Sequence, residues 1–91
     1  MATAQQTYDA AILRACQDHL TRVNAARSAR VATVLRARIF NQIDPSTYMA
    51  RITAYAAAKD HYEKAVRSSE KRRLQEEADA MAAFQATREL L

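Results

Sequence analysis

The stretch Ile43-Asp44-Pro45-Ser46-Thr47 decides the fold, because it contains the only proline of the 91-residue chain and lies close to its midpoint. A proline disfavours helical geometry in the residue before it, which predicts that the preceding helix ends by Ile43. Asp44 has the side chain of a helix N-cap, and Pro45 suits the first helical position. The stretch therefore predicts the end of one helix and the immediate start of another.

The chain contains no glycine on either side of this break. Tight turns and helix C-caps commonly need glycine because they require a positive φ angle. Apolar residues recur at spacings of three and four, and the alternation typical of strands is absent. We therefore predict an all-α fold, a long antiparallel helical hairpin that forms one domain over residues 1–91. It comprises a helix over 3–42, a turn over 43–46 and a helix over 46–90.

The first arm carries an apolar stripe that includes Leu13, Leu20 and Val34. Arg27 falls within this stripe, so it must either extend to solvent or meet a carboxylate across an interface. A narrower face of the same arm consists of small residues, through which a second helix could approach closely. Alanine is also the best helix former, and we expect these residues to reflect that propensity. They are Ala11, Ala15, Ala25, Ala29 and Ala32.

The second arm carries tyrosines seven residues apart, at Tyr48, Tyr55 and Tyr62, with Ile52, Lys59 and Val66 at the interleaved positions, so that five of the six are apolar. This spacing is the heptad pattern of coiled-coil-like packing. The two arms together predict a packing seam made by Leu13, Leu20, Val34, Tyr48, Ile52, Tyr55, Tyr62 and Val66.

Seven polar residues, 67–73, interrupt the apolar pattern of the second arm. Either the helix continues through them exposed to solvent, or a serine caps a third, shorter helix that begins after Ser69. The absence of glycine and proline favours the continuous helix.

A turn near residue 44 makes antiparallel arms pair positions whose numbers sum to about 88, because both helices rise equally per residue. This register predicts that Tyr8 lies near Met81 and Phe84. It also places Arg27 opposite Asp60 and Glu63, which would provide the carboxylate that a cation within an apolar stripe requires.

The net charge is +4, and five arginines without an acidic residue lie between residues 19 and 43. Such a block can contact phosphates, so a small nucleic-acid-binding protein is the alternative hypothesis. The simpler interpretation is a solvated helix face, which we favour because the charge is modest. The candidate polyanion contacts are Arg22, Arg27, Arg30, Arg36 and Arg38.

Enzymatic chemistry finds little support in the sequence. Without glycine, the phosphate-binding loop and the dinucleotide fingerprint cannot form. Cys16 and His19 are spaced like two metal ligands, but no second pair accompanies them at ligand spacing. We expect no catalytic residues, no cofactor and no metal site.

A hairpin of two helices buries one stripe on each helix and leaves most of its surface in water. We therefore expect a protein partner, either a second copy or a larger assembly. The single cysteine and the absence of an Asn-x-Ser/Thr sequon fit an intracellular, reducing compartment. No apolar run is long enough to span a membrane. The sequence as a whole predicts a non-enzymatic helical subunit that acts in assembly.

Overall fold

The computed structural model describes residues 2–90 and shows an antiparallel hairpin of two long helices. Helix α1 spans Ala4–Ile43, and helix α2 spans Tyr48–Glu89. A single 3₁₀ turn, Pro45–Thr47, connects them. The Cα atoms extend over 70 × 19 × 8 Å, so the molecule is a long, narrow slab. The predicted all-α hairpin is confirmed, and because α2 is continuous, the alternative with a third helix after Ser69 is wrong.

Local hydrogen bonds account for where each helix begins. At the start of α1, the Thr3 hydroxyl accepts from the Gln6 amide at 3.0 Å, and the Gln6 side chain accepts from the Thr3 amide at 2.9 Å. This reciprocal capping box satisfies two amides that the helix leaves unpaired. At the break, Asp44 has extended backbone geometry, and its Oδ1 accepts from the Ser46 amide at 3.0 Å. Asp44 and Pro45 therefore take the cap and first-position roles that the sequence predicts.

The interior of the hairpin follows a period of eleven residues. Its innermost positions hold small residues: in α1 Ala15, Ala26 and Ala37, and between the turn and the end of α2 Thr47, Ala58, Ser69 and Ala80. Ala15, Ala58 and Ser69 are the fully buried members of this set, at 1%, 5% and 4% exposure. Eleven residues make three turns of a nearly straight helix, so this spacing keeps one side of each helix inward along its whole length.

Larger residues flank the small ones with the same period. Half-buried positions eleven apart hold Tyr8, His19, Arg30 and Asn41 in α1 and Arg51, Tyr62, Arg73 and Phe84 in α2. The rings of Tyr8 and Phe84 lie 5.3 Å apart, and the Arg30 guanidinium lies 5.3 Å from the centre of the Tyr62 ring. The predicted contact between Tyr8 and Phe84 is thus confirmed, and both pairs have residue numbers that sum to 92.

Of the small residues singled out in the first arm, Ala15 packs inside the hairpin, whereas Ala11, Ala25, Ala29 and Ala32 are exposed. Small side chains allow two helix backbones to approach closely, and in this hairpin they occupy every innermost position of α1. The leucines of both helices, Leu13, Leu20, Leu35 and Leu74, are consequently left exposed.

Candidate interaction surfaces

A polar cluster joins the two helices in the half of the hairpin away from the turn, centred on the buried residue Ser69. The Ser69 hydroxyl accepts from Arg22 Nε at 2.8 Å and lies 2.8 Å from His19 Nδ1. Arg22 also donates through Nη2 to the Ser69 carbonyl at 3.2 Å. Since the arginine occupies a lone pair of the hydroxyl, the hydroxyl proton is free to bond His19 Nδ1. Two side chains of α1 are thereby anchored on one residue of α2.

Carboxylates extend this cluster along α2. Glu70 Oε2 lies 3.3 Å from His19 Nε2, and the other oxygen of Glu70 accepts from Arg73. Arg73 also donates to Glu77 at 2.7 Å. The hydrogen bond from Arg73 holds the pKa of Glu70 below its usual range, and burial opposes this effect in part. The same bond raises the pKa of Arg73, so the cluster favours the charged form of both groups.

Ser69, His19 and Glu70 follow one another as hydroxyl, imidazole and carboxylate, the order found in hydrolytic triads. The environment does not suit that chemistry. Ser69 is 4% exposed between two helices, so a substrate carbonyl has no approach to its oxygen. The adjacent amides lie within a continuous helix and are committed to its hydrogen bonds, which leaves none to stabilise an oxyanion. The arrangement fits a structural link between the helices.

The five arginines of the basic block do not form one surface. Arg22 and Arg30 are half-buried and engaged with Ser69 and Tyr62 inside the hairpin. The remaining three, Arg27, Arg36 and Arg38, are exposed. Within residues 2–90, Arg27 forms no salt bridge, whereas Asp60 pairs with Lys64 at 2.9 Å. The predicted pairing of Arg27 with Asp60 or Glu63 is therefore absent from the hairpin.

The three tyrosines turn progressively inward along α2. Tyr48 is exposed, while Tyr55 and Tyr62 are half-buried. A heptad repeat drifts by about 20° per seven residues on a straight helix, which explains the rotation. Guanidinium groups stack on the rings: Arg51 lies 5.0 Å from the Tyr48 ring centre and 5.8 Å from that of Tyr55. The ring faces are thus covered by cations of the same chain, an arrangement that is itself favourable.

One broad side of the hairpin is apolar and exposed. The other members of the predicted seam divide between the interior and this side: Val34 and Val66 are half-buried, whereas Leu13, Leu20 and Ile52 are exposed. In α1 these exposed residues lie beside the row of positions, eleven residues apart, that contains Val23. In α2 they lie beside the corresponding row that contains Val66. We call this surface the apolar face, and its residues are Leu13, Leu20, Val31, Leu35, Tyr48, Ile52, Leu74 and Met81.

The opposite side is lined by small residues. A shallow groove there takes side chains from both helices, among them Ala29, Thr33, Ala54, Ala57 and Ala65. We call this side the alanine face. A second groove on it includes Arg14, and positions eleven residues apart share a side. Ala25 and Arg36 therefore lie on the alanine face. The hairpin thus presents many bulky apolar side chains on one side and mostly alanines on the other, where Phe40 near the turn is also exposed.

Sequence reasoning did not single out the Ser69 cluster. Ser69 lies within the polar run 67–73, which suggests a solvated helix surface. The usable signal was the eleven-residue spacing of small residues, which places Ser69 in line with Ala58 and Ala80.

Comparison of the chain with protein-family models, with curated protein sequences and with solved structures found no match. Over residues 2–90, no three histidine, cysteine or acidic side chains come together as a potential metal site. Neither helix, over its described length, is long and apolar enough to cross a membrane.

Proposed function

We propose that this chain is a non-enzymatic helical assembly subunit that packs its apolar face against a protein partner. The observation that carries the proposal is the placement of side chains: alanines fill the interior of the hairpin, and leucines cover its outside. Leu20 and Leu74 are 59% and 53% exposed, although each could contribute strongly to a core. A chain that directs its largest apolar groups outward in this way is suited to bury them against another surface.

The size of the apolar face supports this interpretation. Its eight residues are each roughly half exposed, and together they present about 800 Å² of apolar surface. Monomeric proteins rarely expose contiguous apolar patches above a few hundred Å². A specific protein interface buries about 800 Å² on each partner. The apolar face therefore has the area of one side of a standard interface.

Nucleic-acid binding through the first helix is the weaker hypothesis. Of the five candidate arginines, two are engaged inside the hairpin, and Arg36 lies on the opposite side from Arg27 and Arg38. A phosphate backbone needs several cations on one surface to bind with the steep salt dependence typical of such complexes. The exposed cations of α1 are too few and too divided to supply it.

Site-specific photo-crosslinking in the producing cell tests the proposal. A photoreactive phenylalanine analogue replaces Leu20 on the apolar face or, as the matched control on the same helix, the exposed residue Ala25 on the alanine face. We expect protein adducts from position 20 and several-fold fewer from position 25. Equal yields at the two positions, or adducts at position 20 that nuclease removes, would contradict the proposal.

A further inference from the structure

We infer that the partner of the apolar face is a second copy of this chain, arranged so that both turns lie at the same end of a four-helix bundle. This inference rests on the proposed function and adds the identity and orientation of the partner. It is supported by the heights along the hairpin at which α1 and α2 carry the apolar and the polar residues of the apolar face.

The contacts across the hairpin define which residues of α1 and α2 lie at the same height. Paired residues have numbers that sum to 88 for His19 and Ser69 and to 92 for Tyr8 and Phe84. Leu20 and Leu74 sum to 94, slightly beyond this range, so they differ in height by about 3–9 Å at a rise of about 1.5 Å per residue, which long side chains can span. Leu13 and Met81 have the same sum and the same offset, whereas Leu35 and Tyr55 sum to 90, within the range.

A polar band interrupts the apolar face at a common height on both helices. On α1 it consists of Asn24 and Arg27, and on α2 of Lys59, Glu63 and Arg67, all five of them exposed. Arg27 and Glu63 sum to 90 and lie at the same height. The apolar face therefore reads apolar, polar, apolar along each helix, and on α2 the polar band extends further towards the turn through Lys59, which lies at the height of Val31.

A two-fold axis parallel to the helices makes this pattern self-complementary. Rotation about such an axis lays α1 of one copy on α2 of the other at an unchanged height. Leu20 then meets Leu74 of the second copy, and Leu13 meets Met81. Arg27, which has no carboxylate partner within residues 2–90, meets Glu63. Apolar side chains thus contact apolar ones, and the cation within the stripe finds an acid, as an isologous interface requires.

The contact of Arg27 with Glu63 distinguishes this orientation from the opposite one. With the turns at opposite ends, each helix would lie on the same helix of the other copy, so Arg27 would meet α1 and not Glu63. The apolar residues do not distinguish the two arrangements, because Leu13 and Met81 at the free end match Leu35 and Ile52 at the turn end.

The area is sufficient for a stable dimer. A slab face of 70 × 19 Å offers about 1,300 Å² to each copy, above the roughly 800 Å² of a standard interface. The core of such an interface is ordinarily apolar, with charged residues at the rim. The apolar face shows this composition except for its central polar band.

Sedimentation equilibrium of the purified full-length chain, followed by a distance measurement, tests the inference. At about 100 μM we expect twice the chain mass of 10.2 kDa. For the distance, a nitroxide is attached to the thiol that Ser46→Cys introduces into a chain carrying Cys16→Ala, so that each copy bears one label at its turn. Pulsed electron resonance should give a separation below about 35 Å, whereas turns at opposite ends would give about 60–70 Å. A monomeric mass or the long distance overturns the inference.

A charge exchange tests the contact itself. Arg27→Glu should weaken the dimer about tenfold in Kd, and adding Glu63→Arg should restore most of the loss, because opposite charges meet again. Arg36→Glu, on the alanine face, serves as the matched control and should leave Kd unchanged. Equal weakening by both single variants, or no restoration in the double variant, would contradict the contact. A monomeric chain that still crosslinks to other proteins through Leu20 would retain the proposed function and refute only the second copy.

Discussion

Replacing Ser69 by alanine should destabilise the hairpin, although alanine is the better helix former. The hydroxyl makes two hydrogen bonds of 2.8 Å, to Arg22 Nε and His19 Nδ1; Ser69 is buried between the helices, and its two partners are half-buried. Its removal leaves both nitrogens without that partner, which costs about 1–3 kcal/mol for buried groups. The gain in helix propensity returns about 0.5 kcal/mol. We expect a net loss of about 1–2 kcal/mol.

The neighbouring serine provides a matched control. Ser68 is exposed, and Ser68→Ala brings the same gain in helix propensity without removing a link between the helices. This variant should be neutral or more stable by up to about 0.5 kcal/mol. Urea unfolding followed by far-UV circular dichroism, at one protein concentration for all variants, measures the difference. Equal stabilities for the two variants would refute the reasoning, since the hydroxyl would then contribute no net hydrogen bonding.

Three further results are expected. Arg73 lowers the pKa of Glu70. The contribution of the Glu70 carboxylate to stability is therefore present above the ordinary glutamate pKa of about 4.3 and is lost as the pH falls through the lowered value. Glu70→Gln should be less stable than wild type at neutral pH, and the stabilities of the two proteins, measured by acid unfolding, should converge at low pH. A double-mutant cycle of Tyr8→Leu and Phe84→Leu should give a coupling of about 0.5–1.5 kcal/mol, and a coupling of zero would mean that the rings do not meet. Hydrogen bonds from Ser46 lower the pKa of Asp44, so Asp44→Ala should reduce the thermal midpoint fully above the ordinary aspartate pKa of about 3.9 and progressively less as the pH falls through the lowered value. A reduction that does not change with pH would show that the charged cap is not what stabilises the turn.

The fold was predictable because its main determinants are local. A single proline preceded by an N-cap aspartate, in a chain without glycine, permits one break and favours helix elsewhere. The contact of Tyr8 with Phe84 followed from the position of that break and the equal rise of two helices. These conclusions needed no knowledge of which side of each helix is buried.

The side of burial was not predictable from residue size. Leu13 and Leu20 are the obvious core candidates of α1, yet the hairpin buries Ala15 and leaves both leucines outside. Two interfaces compete for the apolar residues of each helix, and a stripe in the sequence does not say which interface it serves. The eleven-residue spacing of small residues identifies the inner side, whereas a heptad search follows the tyrosines and drifts away from it.

The same competition explains Arg27. The residue interrupts a stripe that faces away from the partner helix of its own chain, so Asp60 and Glu63 do not reach it within the hairpin. A cation can lie on such a surface in water without a carboxylate partner, because it stays solvated.

Hydroxyl-radical footprinting of the native, assembled protein tests most directly the claim that the apolar face is an interaction surface. The method compares oxidation of Leu20, Leu35 and Leu74 with that of Ile43, which is exposed but lies outside the apolar face. If a partner covers this face, the three leucines should oxidise several-fold more slowly than their exposure in the hairpin implies, while Ile43, at 76% exposure, reacts in full. Oxidation of all four residues in proportion to their exposure in the hairpin would contradict the claim.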